Sequence, residues 1–570
     1  MDKRLSVIVF LIALALAVAM GRAFQMQVIQ GRQYEARSRS NYLRRVPVPA
    51  IRGRILDRDG RVIAGWEKTF VAVALFGGQE PGLDPRKARE LKRILRRDTL
   101  NLEPSYLGYE TVAQDIPEDR ATAIMERKER FRWLMLFPYF HRTYPDAGLV
   151  GHVVGYVDAD GNGKAGLEKA MNDDLSGIMG RKYLMVDAKG RVIQEDIYPE
   201  EEPEAGADIT LTIDLDLQRA ADTLFRPYQR GAAVLMNVKT GEVLVMYSKP
   251  YVDPEVMVYG TPEEKYQALT APGSPLLNRA VAGLYPPGST FKPMIALAGL
   301  ESGAINENTV FCCNGGVALG NKFFSCTGFH GCLTVVTGIQ HSCNSFFYNV
   351  ALRMGLPKLL VYLNRNDFLT RRYDLGTGGE KRSLIPTLEY YIRRQGRYFT
   401  GSALNIAIGQ GEVLLTPLHM ALVAGLVATG KMPGPHLVLR EGDTYYVPRD
   451  TLVLPASEHN RELVKLGMML VGELGTAKNV RIPGFKFGGK TGTAQNPHGA
   501  NHSVFIFYAP YDNPEICGAV VVENAGYGAV AAAPIARGLI MRYFNLPYTP
   551  LFAIGKGETP APEMPEIEVE

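Results

Sequence analysis

The sequence predicts an α/β (α+β) architecture in which an antiparallel sheet with a helical insert follows an apolar N-terminal helix and an elongated, charged module. Three observations predict it. Two β-rich pairs, residues 232–238 with 242–248 and residues 503–508 with 516–522, stand at opposite ends of the C-terminal part of the chain. Almost all helical text there lies between the pairs, which suits a sheet assembled from both ends with helices against its faces. Before them come an apolar run from Leu5 to Met20 and a long stretch of charged, turn-bearing text.

At 570 residues and 46% hydrophobic, the chain can bury a large core and is long enough for more than one domain. Its net charge of +4 balances 63 basic against 59 acidic residues, which is no nucleic-acid footprint.

In chain order, residues 1–30 read as a cytoplasmic stub and transmembrane anchor. Leu5 to Met20 is slightly short for a span, but Gly21 to Ile29, interrupted by Arg22, continues the helical pattern, and Lys3 and Arg4 mark the inner side. Ala17-Val-Ala19 offers a rival reading, a signal-peptide cleavage site. The apolar run exceeds a usual signal core, which favours a retained anchor, and either reading exports the bulk of the chain. Residues 31–207 form a second module. Within it, Asn41 to Ala64 alternates apolar and charged residues around an Asp59-Gly60 turn and predicts a hairpin, on physics alone an exposed, charged sheet edge. Pro85 to Arg132 reads as solvated helix surface, and His152 is a lone histidine assigned no chemistry. Tyr198 to Asp208 is acidic and proline-bearing, a linker that places a boundary near Asp208. Residues 208–550 then hold the C-terminal domain, and 551–570 a proline-rich, acidic, disordered tail.

The chemistry starts at Tyr285-Pro-Pro-Gly-Ser-Thr-Phe-Lys292, where two prolines and a glycine give way to a helix through Pro293 to Leu300. Ser289 falls at the helix start, where capping is the simplest role. Lys292, three residues on, shares its face and sets an amine beside the hydroxyl. An unprotonated amine takes a serine proton, and burial and the positive helix end both favour that unprotonated form. S-x-x-K alone recurs by chance. Here Ser342-Cys-Asn344 and Lys490-Thr-Gly-Thr493 follow, giving S-x-x-K, S-x-N and K-T-G in order, with Gly409-Gln-Gly411 and Thr416-Pro417 between the last two. Lys490 to Thr493 is expected on a strand edge, where Gly492 leaves room for a peptide laid alongside.

With these motifs the chain resembles a class B penicillin-binding protein over nearly its whole length. Arg52-Gly53, Asp57-Arg58 and Gly60 look like the pedestal (dimerisation-type) domain of that class, as do Arg142-Thr-Tyr-Pro, Gly151 to Tyr156 and Gly166 to Lys169. Phe329-His-Gly331 inclines the resemblance to the elongation type, similar to penicillin-binding protein 2, over the division type. The resemblance implies a penicillin-binding/serine β-lactamase-like fold and a D,D-transpeptidase that cross-links peptidoglycan stem peptides through an acyl-serine and is the target of β-lactams. It implies no cofactor for catalysis, a single-pass anchor in the inner membrane with the catalytic domain outside, and a polytopic membrane glycosyltransferase of the SEDS type (RodA-like) as partner. By resemblance, Ser289 is the nucleophile, Lys292 its base, Ser342 the proton relay, and Asn344 the holder of a substrate amide. Lys490, Thr491 and Thr493 bind the terminal carboxylate, and the N–H groups of Ser289 and Thr493 form the oxyanion hole.

Rival functions remain distinguishable. A β-lactamase or D,D-carboxypeptidase directs water at the acyl-serine, and a β-lactam sensor needs cytoplasmic signalling sequence where only Met1 to Arg4 precede the anchor. A non-catalytic scaffold that activates the polymerase uses the module and anchor alone, and is compatible with catalysis.

Of six cysteines, Cys312, Cys313, Cys326, Cys332 and Cys343 crowd between the first two motifs. In an exported chain disulfides are the default. Yet Cys313-x12-Cys326-x3-His330-x12-Cys343 also supplies three thiolates and an imidazole, a closed tetrahedral set for structural zinc. The elongation-type proteins that the chain resembles can hold a metal beside S-x-N with acidic, histidine and cysteine residues, and cysteines stand here where those carry aspartates. The spacing leaves zinc and disulfides as alternatives.

Overall fold

The computed structural model describes residues 3–30, 32, 43–48, 50–74, 85–96, 100, 103–104, 110–131, 134–158, 160–186, 192–195, 201–448, 450–497 and 499–547. The tail 551–570, the first residues of the Asn41 to Ala64 segment and the start of the Tyr198 to Asp208 linker lie outside the described residues. Helix Lys3–Phe24 continues through a π-turn at Gln25–Ile29, so Arg22 does not end it; its guanidinium reaches the Gln25 amide oxygen at 2.6 Å. Val7–Ile29 is the one helix among the described residues long and apolar enough to cross a membrane.

The chain divides into two compact units: Met1–Gly53, Gly65–Thr143 and Asp173–Ala207 form the first, and Arg54–Ala64, Tyr144–Asn172 and Asp208–Glu570 the second. In the first, Leu43–Val48 pairs antiparallel with Gly180–Val186, not with the turn that follows it. That stretch is taken up by its pairing with Gly180–Val186, so the expected hairpin is confined to Ile55–Leu56 against Val62 and Ala64, in the second unit. It is not a sheet edge either, since Ile55 and Leu56 pair on their other side with Ile209 and Thr210, while Arg54 and Asp59 do stay exposed. Asp57 is fully buried, accepting from the Asp59 and Arg61 backbone N–H groups and pairing with the Arg61 guanidinium at 2.7 Å. The stretch from Pro85 to Arg132 likewise departs from the solvated-helix expectation. It holds helices Pro85–Leu95 and Glu118–Met125 around a strand, Glu110–Ile116, and buries Leu91, Leu95, Val112, Ile116 and Ile124 in one cluster with Phe70. Pairing with residues 70–74 overrides the local helical bias of the charged text.

The second unit carries the chemistry. Helix α1 (Leu215–Phe225) is capped by the Asp214 carboxylate, which accepts from Asp216 and Leu217. Strands β1 (Gly231–Asn237) and β2 (Val243–Lys249) form the first hairpin. The helical insert contributes α2 (Lys292–Glu301), α3 (Val335–Gln340), α4 (Asn344–Met354), α5 (Pro417–Thr429) and α6 (Glu458–Glu473). Strands β3 (Gly488–Ala494), β4 (His502–Ala509) and β5 (Ile516–Val522) and helix α7 (Ala532–Tyr543) complete it. The sheet is five-stranded and antiparallel throughout, in the order β2-β1-β5-β4-β3. That is the predicted assembly from both ends, with the K-T-G strand at one edge. Both faces are covered, since β5 is buried at every residue and α5 at all but its last. His152 is half-buried with Nε2 at 2.7 Å from the Pro275 carbonyl oxygen, and loss of water lowers its pKa to about 4, a neutral structural role.

Candidate active site

Ser289 lies in a 3-10 turn, Gly288–Phe291, that leads into α2. The cap positions are Pro287 and Phe291, so the serine hydroxyl is not spent on capping. Two backbone approaches hold this turn. Gly288, at φ 55°, donates to the Gly409 carbonyl at 2.9 Å, and a Cβ on it would stand 2.8 Å from the Thr493 oxygen. Gly492 faces the turn from the other side, where a Cβ would meet the Pro287 oxygen at 2.8 Å. Gln410 ties the third wall by donating to the Thr493 carbonyl at 3.2 Å. The glycines are therefore required by close packing of the nucleophile turn against the K-T-G strand.

Lys292 is fully buried. Its Nζ donates to the Ser342 carbonyl at 2.5 Å and to Asn344 Oδ1 at 2.7 Å, and lies 3.3 Å from Ser342 Oγ. Ser342 occupies the turn between α3 and α4 at φ 55°, a left-handed conformation costly for a serine and retained here at the convergence of both lysines. Lys490, also fully buried, donates to Ser342 Oγ at 2.8 Å and to the Thr491 carbonyl at 3.0 Å. Loss of water disfavours both cations. Burial brings Lys292 down to about 7, and burial and then the neighbouring Lys292 hold Lys490 well below the usual lysine range. Thr491 shares a 2.7 Å hydrogen bond with the hydroxyl of Thr476. Ser289, Ser342, Asn344, Gln410, Thr491 and Thr493 line a cavity of about 570 Å³, with Thr476 on the same wall. All eight predicted site residues thus converge. Thr476 was missed, because it lies in a connector with no local pattern and only the fold brings it to β3.

The cysteines divide between a disulfide and a Cys/His cluster. Cys312 and Cys332 form a disulfide across a two-stranded ribbon, Phe311–Cys313 against Gly331–Leu333. Facing the other way, Cys313, Cys326, His330 and Cys343 bring their ligand atoms within 4.8 Å of one another. The alternatives drawn from spacing were not exclusive, since strand alternation turns adjacent Cys312 and Cys313 to opposite faces. Cys313 Sγ and Cys326 Sγ lie 3.6 and 3.5 Å from His330 Nδ1, and Cys326 Sγ lies 3.8 Å from Cys343 Sγ. Zinc bonds of about 2.3 Å to sulfur and 2.0 Å to nitrogen require, at tetrahedral angles, edges of about 3.5 Å for S···N and 3.8 Å for S···S. The donor set fits. The cage also touches the second motif, because the Asn344 N–H donates to Cys326 Sγ at 3.2 Å and Cys343 caps α4 by accepting from Phe346. The hydrogen bond between Cys326 and Cys343 draws the Cys326 thiol below its usual range and pushes Cys343 up.

Comparison with known proteins gives the same class. A family model described as the penicillin binding protein transpeptidase domain matches residues 231–541, and one described as the penicillin-binding protein dimerisation domain matches residues 47–211. The chain belongs to the class B penicillin-binding proteins. Relatives narrow this to the penicillin-binding protein 2 type. The peptidoglycan D,D-transpeptidase MrdA of Haemophilus influenzae is 31% identical over 95% of this chain and 92% of its own. A penicillin-binding protein 2 of Helicobacter pylori, solved in complex with MreC, superposes with a TM-score of 0.75 at 25% identity, covering 88% of this chain and 99% of that one. A chain from a structure described as structural coordination of polymerization and crosslinking by a peptidoglycan synthase complex matches with a TM-score of 0.75 at 30% identity, covering 96% of this chain and 100% of that one. The activity is that of a serine-type peptidoglycan D,D-transpeptidase, which needs no cofactor.

Proposed function

We propose that Ser289 attacks the penultimate D-alanine carbonyl of a stem peptide and that Lys292 takes its proton. The observation that carries this is the burial of Lys292 with two oxygen acceptors, the Ser342 carbonyl and Asn344 Oδ1. A neutral amine has two N–H bonds, which those oxygens accept, and one lone pair left for the serine proton. The oxyanion forms against the N–H groups of Ser289 and Thr493. The carbonyl–nitrogen bond breaks, and the departing D-alanine takes a proton through Ser342, whose oxygen accepts from Lys490. An amine of a second stem peptide then attacks the acyl-serine, releasing Ser289 and forming the cross-link. Lys490, Thr491 and Thr493 bind the donor carboxylate, Gly492 keeps the strand edge open, and Asn344 holds a substrate amide. β-Lactams acylate the same serine. In mass spectrometry, labelled penicillin should give one adduct on the peptide containing Ser289 and none in Ser289→Ala; a stoichiometric adduct in the variant rejects the assignment.

The finer placement rests on the apolar helix Val7–Ile29 and on the relatives. The helix anchors residues 1–30 in the inner membrane with Lys3 and Arg4 inside, residues 31–207 form the pedestal, and residues 208–550 act outside during elongation. Anchor and pedestal couple the enzyme to a SEDS-type glycosyltransferase. In co-reconstitution with lipid-linked precursor, Ser289→Ala should stimulate polymerisation and a chain lacking residues before Asp208 should not; stimulation by the truncated chain rejects the coupling. Cys313, Cys326, His330 and Cys343 would hold one structural zinc, which supplies a rigid tetrahedral centre and no catalytic step.

A further inference from the structure

The nucleophile turn is preceded by Tyr285, and its hydroxyl does not face the cavity. It donates to Glu523 Oε1 at 2.8 Å, and the same oxygen accepts from Arg279 Nε at 2.7 Å. The second carboxylate oxygen pairs with Arg230 Nε at 3.4 Å. Arg279 and Glu523 are 3% and 13% exposed, so water screens this pair little and its geometry is narrowly held. The backbone of Tyr285 is pinned too, exchanging two hydrogen bonds with Leu415 at 3.0 and 2.8 Å. Between Tyr285 and Ser289 stand only Pro286, Pro287 and Gly288, and two proline rings transmit displacement with little give.

Glu523 follows directly on the last strand, β5. The neighbouring Asn524 N–H donates to His502 Nδ1 at 3.1 Å, and the His502 ring packs edge-on to Tyr285 with centroids 5.6 Å apart. His502 pairs with Ala494 at the end of the K-T-G strand. Tyr285 is thus the point where the nucleophile turn, the end of β5 and the end of β3 meet.

We propose that Glu523 is a positioning residue for acylation, holding Tyr285 and through it Ser289 in register with the K-T-G strand. It touches no substrate. The carboxylate remains ionised in the buried pair because the attraction of Arg279 and the bonds from Arg279 and Tyr285 outweigh the cost of burial.

The inference rests on Ser289 as nucleophile, which the wild-type adduct tests separately. Stopped-flow acylation by a fluorescent penicillin separates the binding constant from the acylation rate constant. Tyr285→Phe loses only the hydroxyl, and Glu523→Gln keeps the shape but loses the charge. Both should lower the acylation rate constant roughly tenfold, the scale of a sub-ångström misplacement. The binding constant should stay within about twofold of wild type, and the pH at half-maximal rate should be unmoved, because the base is untouched. Glu523→Asp, which keeps the charge, should recover part of the rate. An acylation rate constant within twofold of wild type in Tyr285→Phe overturns the proposal even if Glu523→Gln fails to fold. A displaced pH profile overturns it in favour of an electrostatic role.

Discussion

Two regions meet at the turn from His341 to Asn344, and they are held by opposite means. On one side the lysine centre is enclosed by apolar structure: the Phe347 ring lies 5.5 Å from the fully buried Lys292 Nζ, and the buried run of β5 and α5 stands behind the sheet. On the other side the cysteine ribbon has little to bury. Of its two strands only Cys313 and Leu333 are buried, while Cys312, Gly331 and Cys332 are exposed. Burial can stabilise the first and has too little area to stabilise the second, so sulfur chemistry does there what apolar packing does elsewhere. The same environment that makes the lysine centre rigid makes its cations expensive, and that expense is the source of the base. A large core thus yields reactivity, and a small one requires links.

The sharpest way to break this comparison is Lys292→Ala. Loss of a positioned base should lower the acylation rate constant about 10²–10⁴-fold with penicillin binding retained, measured by stopped flow. If apolar packing carries the region, the melting temperature should stay within a few degrees of wild type, because the removed group was a buried amine. A collapse of the fold would show that the lysine network, and not the core, holds the site together.

The second effect is the pH dependence of acylation. Lys292 is lowered from 10.5 to about 7, so below that pH the amine carries a proton and cannot accept one from serine. The rate constant should fall about tenfold per unit as pH drops below 7 and level off above it. The stability linkage has the matching sign. An amine with a depressed folded pKa is less protonated in the fold than in the unfolded chain, so its cost is full below about 7 and relieved as pH rises from there toward 10.5. A rate constant flat from about pH 5.5 to 9 would remove Lys292 from the role of base.

The two regions also differ in how much of them could be read from sequence. The lysine centre was legible because its parts are local patterns, Ser289 with Lys292, Ser342 with Asn344, and Lys490 to Thr493, each set by a turn, a helix start or a strand. What was not legible is what those parts lean on. Thr476, Tyr285 and Glu523 gain their roles only when distant segments pair, which no spacing encodes. The sheet was legible from its two terminal strand pairs, whereas Glu110–Ile116 was hidden in charged text because its partner lies about forty residues away in sequence. In the ribbon, spacing found the four residues that cluster but treated zinc and disulfide as rivals; the alternation of side chains at Cys312 and Cys313, visible only once the strand is paired, leaves the cluster free of the disulfide.

The third test addresses the cage. If Cys313, Cys326, His330 and Cys343 hold zinc, metal analysis should give close to one atom per chain, and chelation should lower the melting temperature of the catalytic unit. Since the Asn344 N–H donates to Cys326 Sγ, chelation should also slow acylation, on the scale of 10–100-fold reported by outer-shell ligand losses. Protein isolated with no metal, and indifferent to chelator, rejects the zinc reading.

The smallest effect should come from the disulfide. Cys312 and Cys332 are 20 residues apart, and closing a loop of that length restricts the unfolded chain by roughly 3 kcal/mol in the chain-entropy account. Structural zinc in small domains contributes about 10–16 kcal/mol, so where both act on one ribbon the metal dominates. The disulfide should therefore matter little while the cage is loaded and more once it is emptied. Cys312→Ser/Cys332→Ser should leave acylation within about twofold of wild type in the metal-loaded protein. After chelation, the same variant should be cleaved by protease within the residues 311–333 segment faster than chelated wild type. Equal cleavage of the two chelated proteins would mean that the disulfide does not hold the ribbon, and that half of the contrast between a packed centre and a stapled one would fall.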